Sequence, residues 1–452
     1  MEQTKENKMG VMPVNQLLIS MSLPMVMSML VQALYNVVDS IFVSRINENA
    51  LTAVSLAFPI QSLMIAVAAG TCVGINAVLS RSLGEKDYDK VNKSACNGII
   101  IMALSYLLFL LIGIFGAGFF YRSQTQDAEI VQFGIDYLTV ICSCSFGIFA
   151  QFTFEKLLQA TGKTFYTMIT QGAGALINII LDPVLIFGLG GLPKMGVKGA
   201  AVATVIGQVI AGLLAFYFNH KKNEEVKLRK KDMRLNGDIV KQIYVIGIPS
   251  MIMQAIGSVM TYGMNRILLT FSSTAAAVFG VYFKLQSFVF MPVFGMNNGL
   301  VPILAYNYGA GKKDRFIKTV KLGIMYAVII MLLGLAVLNI IPATLLRLFD
   351  ASEAMIAIGV PALRTISISF LFAGFGIICS TVFQALGNAV YSMIVSIARQ
   401  LAVLLPAAYL LSLTGSVNNV WWAFPIAEVV SFLVTVFFMC RIYRNIVSHI
   451  GE

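Results

Sequence analysis

The chain has 452 residues, of which 58% are hydrophobic and 12% are charged, against about 25% charged residues in an average soluble protein. A water-soluble globule must cover its surface with polar side chains, so this composition argues against a soluble enzyme or a nucleic-acid-binding protein. The net charge of +11 is better explained by positive residues gathered on one side of a membrane.

A membrane-spanning helix needs about 20 mostly apolar residues. The sequence holds twelve such stretches, and short polar breaks separate them. The fold class expected from this pattern is an all-α polytopic membrane protein. The predicted spans cover residues 14–43, 51–80, 94–121, 131–159, 165–189, 199–220, 241–270, 275–305, 318–346, 354–384, 390–412 and 420–441.

The chain begins with a polar segment of mixed charge, and no small-residue cleavage site follows the first apolar stretch. We therefore expect that stretch to be a true span. The six cysteines fall within or at the ends of spans without a Cys-x-x-Cys pair, and there are only two histidines. This usage favours packing roles, and predicts neither disulfides nor a bound metal or cofactor.

Lysine and arginine are distributed unevenly between the loops. Of the 32 basic residues, 22 fall on the side of the N-terminal tail, 5 fall on the opposite side and the others lie within spans. Cytoplasmic loops of membrane proteins carry the excess of Lys and Arg. The distribution predicts a multi-pass protein of the cytoplasmic membrane with both termini in the cytoplasm.

The chain also matches itself at a constant offset of 225 residues. A bias towards apolar residues would not align Gln, Gly, Asp and Arg in one register, so we predict two homologous halves. The matched pairs include Pro24 and Pro249, Gln61 and Gln286, Gly84 and Gly309, Asp89 and Asp314, and Arg122 and Arg347.

Each half would hold six spans. We predict an N-lobe over residues 1–220, a basic cytoplasmic linker over 221–240 and a C-lobe over 241–452. Because six is an even number, both lobes have the same orientation and are related by a pseudo-two-fold axis along the membrane normal. Halves arranged in this way occur in alternating-access transporters.

Carboxylates within a span are costly, which makes each of them a functional candidate. Asp39 lies deep in span 1, one helical turn after Tyr35, whose hydroxyl is placed to donate to it. Pro24 in the same span removes a backbone donor and can kink the helix. A kinkable helix that carries a titratable group is suited to couple protonation to bending.

A second acidic candidate is Asp182 in span 5, which precedes Pro183 and follows Asn178 by one turn. Because Pro183 lacks an N–H, it cannot donate to the carbonyl of Ile179, which is expected to leave backbone oxygen free beside these two side chains. Such oxygens suit Na⁺ or a hydrogen-bonded proton. The alternative interpretation is that Asn178 and Asp182 cap a break in the helix.

The remaining charged residues of the spans have weaker indications of function. Glu155 and Lys156 are adjacent near the end of span 4, which favours an interfacial, snorkelling pair. Glu428 lies in span 12, and Lys284 and Arg399 are available to pair with it. That pairing is either structural or part of a polar region for anionic substrate groups.

The sequence contains no constellation of catalytic residues. It lacks a Walker A motif, His-Glu-x-x-His, Gly-x-Ser-x-Gly and a usable histidine base. We therefore expect that the protein is not an enzyme and that an ion gradient, not ATP hydrolysis, supplies its energy.

Four segments of the sequence resemble the multidrug and toxic compound extrusion (MATE) family, especially its bacterial DinF-type and MepA-like branches. The similarity extends over essentially the whole chain. The segments are residues 35–43 (Tyr-Asn-Val-Val-Asp-Ser-Ile-Phe-Val), 178–183 (Asn-Ile-Ile-Leu-Asp-Pro), 199–204 (Gly-Ala-Ala-Val-Ala-Thr) and 306–310 (Tyr-Asn-Tyr-Gly-Ala).

The resemblance implies an antiporter of two six-helix lobes that exports organic, often cationic, compounds in exchange for H⁺ or Na⁺. Pro24 matches the kinking proline of span 1, and Pro183 is a second candidate hinge. The matched ion site, which would be the place for Na⁺, comprises Asp39, Asn178, Asp182 and Thr204, with Tyr35 nearby. The candidate cavity residues are Gln32, Met29, Gln61, Lys284, Arg399 and Glu428.

The sequence departs from one branch of that family. NorM-type relatives place acidic residues in spans 7 and 10, whereas here Met264 is the repeat partner of Asp39 and the interior of span 10 has no Asp or Glu. The departure favours ion coupling through the N-lobe.

Several other functions remain as alternatives. A lipid-linked precursor flippase has a related architecture, although such proteins tend to have extra helices and a large cationic cavity. A major-facilitator transporter would carry a Gly-x-x-x-Asp-Arg-x-Gly-Arg loop, which residues 81–93 lack. An intramembrane enzyme or a channel belongs to a different class. We expect a monomer whose partners are lipophilic small molecules and the bilayer, and no nucleic acid.

Overall fold

The structure, a computed structural model, describes residues 6–191 and 193–451, without the side chains of Ser40, Ser44 and Glu48. Residues 1–5 of the predicted cytoplasmic tail lie outside the described residues. Throughout the described part the chain is helical, and no strand occurs in it. This confirms the predicted all-α class.

Among the described residues, ten helices are long and apolar enough to cross a membrane. Two further helix pairs bend by 40° and 49° at a short break, and counting each pair as one span gives up to twelve. Each of these segments overlaps one predicted span. In chain order they are α1 Val14–Ser44, α2 Glu48–Leu56 with Phe58–Gly84, α3 Tyr88–Leu111 with Ile112–Gly116 and Ala117–Gln124, α4 Ala128–Ser143 with Phe146–Ala160, α5 Thr164–Phe187, α6 Val197–Lys222, α7 Gly237–Leu269, α8 Ser273–Gly309, α9 Lys313–Ile340, α10 Glu353–Ser367 with Phe370–Ala385, α11 Ala389–Ile397 with Ala398–Leu404 and Leu405–Ser412, and α12 Val417–Val420 with Ala423–Asn445.

The helix boundaries repeat in the register found in the sequence. Helices α2 and α8 end at Gly84 and Gly309, which are 225 residues apart. Their N-termini are capped by Asn47 and Ser272, again 225 residues apart, whose side chains accept the N–H three residues ahead at 2.7 and 3.0 Å. Such a cap satisfies a backbone donor that the helix itself leaves free. The two bent helices, α4 and α10, are also repeat partners.

The chain divides into two compact units. One comprises Leu23–Gly247, and the other comprises the residues up to Ser22 together with Ile248–Glu452. This division differs from the predicted lobes at 1–220 and 241–452 in two segments. The N-terminal segment up to Ser22 belongs to the second unit, and residues 221–247, which include the predicted linker, belong to the first.

Hydrogen bonds to backbone groups explain where those two segments pack. The Arg315 guanidinium donates to the carbonyls of Met9 and Met12 at 3.0 and 2.7 Å, which fastens the N-terminal segment to the second unit. Asn97 accepts from the Asn236 N–H at 2.8 Å and donates to the Arg234 carbonyl at 3.2 Å. The segment that we predicted as a linker therefore packs on the first unit.

Large apolar side chains are exposed on both units. In the first unit, Phe115 and Phe119 are 76% and 80% exposed, and in the second Ile340 is 76% exposed. Extensive apolar exposure of this kind would be unfavourable in water. It is the surface expected of helices that face lipid chains.

Candidate functional site

The first unit contains a cavity of about 470 Å³ between helices α1, α2, α4, α5 and α6. From α1 it is lined by Ser28, Gln32, Tyr35 and Asp39, which recur every three or four residues and therefore share one helix face. The volume lies within the range of about 300–1,000 Å³ that is typical of small-molecule sites. The predicted ion-site residues thus border a space that can hold a ligand.

Two carboxyl groups meet at the wall of this cavity. Asp39 lines the cavity, Asp182 is fully buried, and their side chains lie within hydrogen-bonding reach of each other. One Asp39 oxygen is buried and has no hydrogen-bond partner within the described chain. Because ionised carboxylates are acceptors only, a proton or a cation must lie between them for the pair to be stable.

Asn178 connects Asp182 to helix α6. In the amide orientation that satisfies both neighbours, Asn178 donates to Asp182 at 3.3 Å, and its oxygen accepts from the Thr204 N–H at 3.1 Å. Both Asn178 and Thr204 line the cavity. The structure therefore brings together Asp39, Asp182, Asn178 and Thr204, and the carboxyl oxygens of the two acids suit Na⁺ or a shared proton.

Two glycines allow α5 and α6 to approach closely enough for this contact. A Cβ on Gly207 would lie 2.7 Å from the Gly174 carbonyl oxygen, and a Cβ on Gly174 would lie 2.9 Å from the Gly207 carbonyl oxygen. Asn178 is one turn beyond Gly174, and Thr204 is three residues before Gly207. The spacing of the two helices at this pair therefore sets the distance between the side chains of Asn178 and Thr204.

Substitution of Gly207 by Ala is expected to destabilise the protein by about 1–3 kcal/mol, because the added methyl group overlaps backbone that cannot move aside easily. Thermal unfolding of the purified protein measures the effect. The matched control is Gly172→Ala, also in α5, where an added Cβ meets nothing within 4 Å. Equal melting temperatures for the two variants would contradict the close approach of α5 and α6.

The other predicted residues of this half are placed as follows. Gln32 and Gln61 line the cavity, whereas Met29 lies outside the lining. Tyr35 lines the cavity, yet within the described chain no hydrogen bond joins it to Asp39, whose carboxyl is close to Asp182 instead. The expected Tyr35–Asp39 bond is therefore absent.

The two candidate hinge prolines lie inside continuous helices. Pro24 is within α1, and its carbonyl accepts from the Ser28 hydroxyl at 3.0 Å. Pro183 is within α5, which runs on to Phe187, so the alternative of a capped helix break at Asp182 is wrong. A role of either proline as a hinge stays a prediction.

The sequence interpretation of Glu155 and Lys156 as an interfacial pair is wrong. Their side chains are buried, with 3% and 8% of their surface exposed. Glu155 accepts from Gln151 at 3.1 Å, from Thr170 at 2.9 Å and from Gln171 at 2.7 Å, and these bonds replace water. Since Gln151 and Gln171 also line the cavity, Glu155 stands directly behind its wall.

Several polar residues of the lining were missed in the sequence. Tyr137 accepts from Gln61 at 2.9 Å, and Gln151, Gln171 and Gln208 contribute amides. The glutamines could have been identified in the sequence, because a glutamine within an apolar span needs a polar partner, as a carboxylate does. A search of the spans for charged residues alone does not find them.

The second unit holds a smaller cavity, of about 220 Å³. It contains the ion pair between Arg399 on α11 and Glu428 on α12, with the guanidinium nitrogen 3.3 Å from the carboxylate oxygen. Lys284 does not line this cavity. It is exposed and lies 5.8 Å from the centre of the Phe349 ring, so its predicted place in the cavity is wrong.

A comparison with known protein families gives a match to the family model described as MatE, at residues 24–184 and 249–410. Together the two matches cover more than half of the chain. They begin at Pro24 and Pro249, which are the first matched pair of the internal repeat.

Individual relatives agree with this match. The multidrug export protein MepA of Staphylococcus haemolyticus is 29% identical over 92% of this chain and 91% of its own length. The solved outward-facing conformation of a multidrug resistance MATE family transporter of the MOP superfamily has a TM-score of 0.90 at 27% identity, covering 98% of this chain and 99% of that one. A MOP superfamily transporter from Pyrococcus furiosus, for which a reverse polarity of the binding pocket suggests a different function, has a TM-score of 0.89 at 26% identity, with both chains fully covered.

Proposed function

Since this chain belongs to the MATE family, we propose that it is a secondary active multidrug efflux antiporter. It would export organic, often cationic, compounds in exchange for H⁺ or Na⁺ by alternating access. The observation that carries the proposal is the uncompensated pair Asp39 and Asp182 at the wall of a ligand-sized cavity. Among the described residues, neither carboxylate takes part in an ion pair.

Competition for the negative charge explains how such a site would exchange one cation for another. With both carboxylates ionised, the cavity attracts an organic cation. When a proton or Na⁺ neutralises the pair, the organic cation loses its counter-charge and its affinity falls. Since Asp39, Asp182 and Thr204 belong to α1, α5 and α6, binding of the ion also changes the forces between these three helices, and a ligand with different affinity for two states shifts their populations.

The energy source depends on the charge of the substrate. Each elementary charge that crosses the membrane is worth about 2.3 kcal/mol per 100 mV. Exchange of one monovalent cation for one proton moves no net charge and would use the pH gradient alone. A neutral or zwitterionic substrate would use the membrane potential as well.

The placement of the protein follows from the same proposal. We propose that it lies in the cytoplasmic membrane with both termini in the cytoplasm, which the 22-to-5 distribution of basic residues supports. Its partners would be lipophilic small molecules and the bilayer, it would act as a monomer without a cofactor, and it would catalyse no chemical reaction. A lipid-linked precursor flippase is less well supported, because an acidic pair beside the larger cavity does not suit a pyrophosphate-bearing lipid.

Transport by the purified protein in liposomes tests the proposal. We expect ethidium to move against its own gradient only when an opposing H⁺ or Na⁺ gradient is imposed, and to saturate with concentration. The two gradients are applied separately, with choline replacing Na⁺ at fixed pH. Movement that needs neither gradient, or unsaturable conductance in planar bilayers, would contradict antiport and favour a channel.

A further inference from the structure

The cavity of the second unit occupies the same repeat positions as the cavity of the first. Phe283, Gln286 and Ser287 line it, 225 residues after Phe58, Gln61 and Ser62, which line the first cavity. Arg399 stands 225 residues after Gly174, at a position where the first half has no side chain at all. The repeat therefore keeps the cavity and changes its chemistry.

The ion pair in this cavity is incompletely bonded. Glu428 is buried, with 7% of its surface exposed, and its contact with Arg399 is a single hydrogen bond of 3.3 Å. A guanidinium has five N–H donors and a carboxylate about four acceptor sites. Within the described chain neither group has another hydrogen bond to protein. Arg399 keeps 30% of its side chain exposed and lines the cavity, so its remaining N–H donors are open to a ligand there.

The backbone that carries Arg399 is also unusual. Residues Ala398–Leu404 form a π-helical turn within α11, whereas the matching helix of the first half, Thr164–Phe187, is α-helical throughout. A π-helical turn changes the direction of side chains and is frequent at functional sites. Here it presents Arg399 and Gln400 to the cavity.

The other walls of the cavity are aromatic, with Tyr282, Phe283, Phe290 and Phe424 among them. Aromatic rings of a ligand would pack against these side chains in edge-to-face or offset geometry. The volume of about 220 Å³ is below the range of about 300–1,000 Å³ for drug-sized pockets, which selects a compact ligand.

We propose that this second cavity is a binding site for compact aromatic zwitterions, with the ligand's carboxylate on Arg399 and its ammonium group on Glu428. A simple cation would be repelled by Arg399 and a simple anion by Glu428, whereas a zwitterion offers a partner to each. This inference rests on the proposed function in one respect: it adds a substrate class to those of the proposed transporter. Binding itself requires no ion gradient.

Equilibrium binding to the purified full-length protein in detergent tests the site directly. The probes are radiolabelled tryptophan and, as competitors, tryptamine and indole-3-propionate, which lack the carboxylate and the ammonium group respectively. We expect tryptophan to bind at least tenfold more tightly than either competitor. Equal affinities for the three compounds, or no saturable tryptophan binding, would overturn the proposal.

Two variants assign the recognition to the two side chains. Arg399→Gln should raise the Kd for tryptophan to that of tryptamine, and Glu428→Gln should raise it to that of indole-3-propionate. The matched control is Arg364→Gln, which alters an exposed arginine of α10 that does not line the cavity. Unchanged tryptophan affinity in both cavity variants would show that the pair is structural.

The probe series keeps the test decisive if a variant fails to fold, because the selectivity of the unmodified protein already decides the outcome. The assay also separates this proposal from antiport. Loss of selective binding with intact ethidium transport would refute the zwitterion site alone, whereas selective binding without transport would refute the antiport alone.

Discussion

Substitution of Asp39 by Asn is expected to abolish cation-coupled export in reconstituted liposomes while the protein still folds and inserts. Asparagine has nearly the same shape, but it neither carries a charge nor exchanges a proton, so binding of the ion and release of the substrate become uncoupled. We expect the initial rate of gradient-driven ethidium transport to fall at least about 100-fold, near the upper end of typical coupling free energies.

The control for Asp39→Asn is Asp136→Asn in the same unit. Asp136 lies on α4, accepts from Gln132 at 3.1 Å and does not line the cavity. Its substitution should leave the transport rate within about twofold of that of the unmodified protein, because it removes only one exposed hydrogen bond. Normal transport by Asp39→Asn would refute the coupling role of the carboxyl pair, and equal losses in both variants would point to a general effect of charge.

The helices could be predicted because lipid imposes a simple rule on the sequence. Every span must be apolar for about 20 residues, so each predicted span overlaps a helix, although the spans predicted from residues 51 and 94 begin three and six residues after Glu48 and Tyr88, where the helices start. The bends in α4 and α10 were not foreseen, because no proline lies at their breaks. The packing of residues 6–22 on the second unit was not predicted either. It depends on individual hydrogen bonds, such as that from Arg315 to the Met12 carbonyl, which leave no periodic pattern in the sequence.

The candidate site could be predicted only where an acid stands in an apolar span. Asp39 and Asp182 stood out on that basis, Asn178 followed from its place one helical turn before Asp182, and the resemblance added Thr204. The residues that sequence reasoning misplaced, Met29 and Lys284, depend on helix rotation and side-chain direction, which a single sequence does not determine.

The two cavities show how one scaffold can hold two kinds of site. At the positions of the first cavity, the repeat keeps Phe, Gln and Ser, which shape the walls. The charges differ: carboxylates from α1 and α5 meet in the first half, and a cation from α11 meets a carboxylate from α12 in the second. Because the two cavities share wall residues but differ in their charged residues, each half would be able to select its own ligand.

The carboxyl pair should also determine how the stability of the protein depends on pH. A proton shared by Asp39 and Asp182 is lost as the pH rises, and two negative charges are then left together in a poorly solvated place. We therefore expect the melting temperature of the purified protein to fall as the pH rises above the ordinary range of carboxyl groups, about pH 4. Asp182→Asn removes one of the two charges, so this fall should be smaller by about 2 °C or more, although transport is lost.

The same measurement distinguishes the two coupling ions. A ligand that binds only the folded state stabilises it by RT ln(1 + [L]/Kd), so if Na⁺ occupies the pair, NaCl should restore the melting temperature at pH 9 and choline chloride should not. If a proton alone is shared, the two salts should act alike. A fall of equal size in the variant and the unmodified protein would mean that the repulsion lies elsewhere. A smaller fall in the variant, together with its loss of transport, would show that the same repulsion that weakens the fold is what the coupling ion relieves.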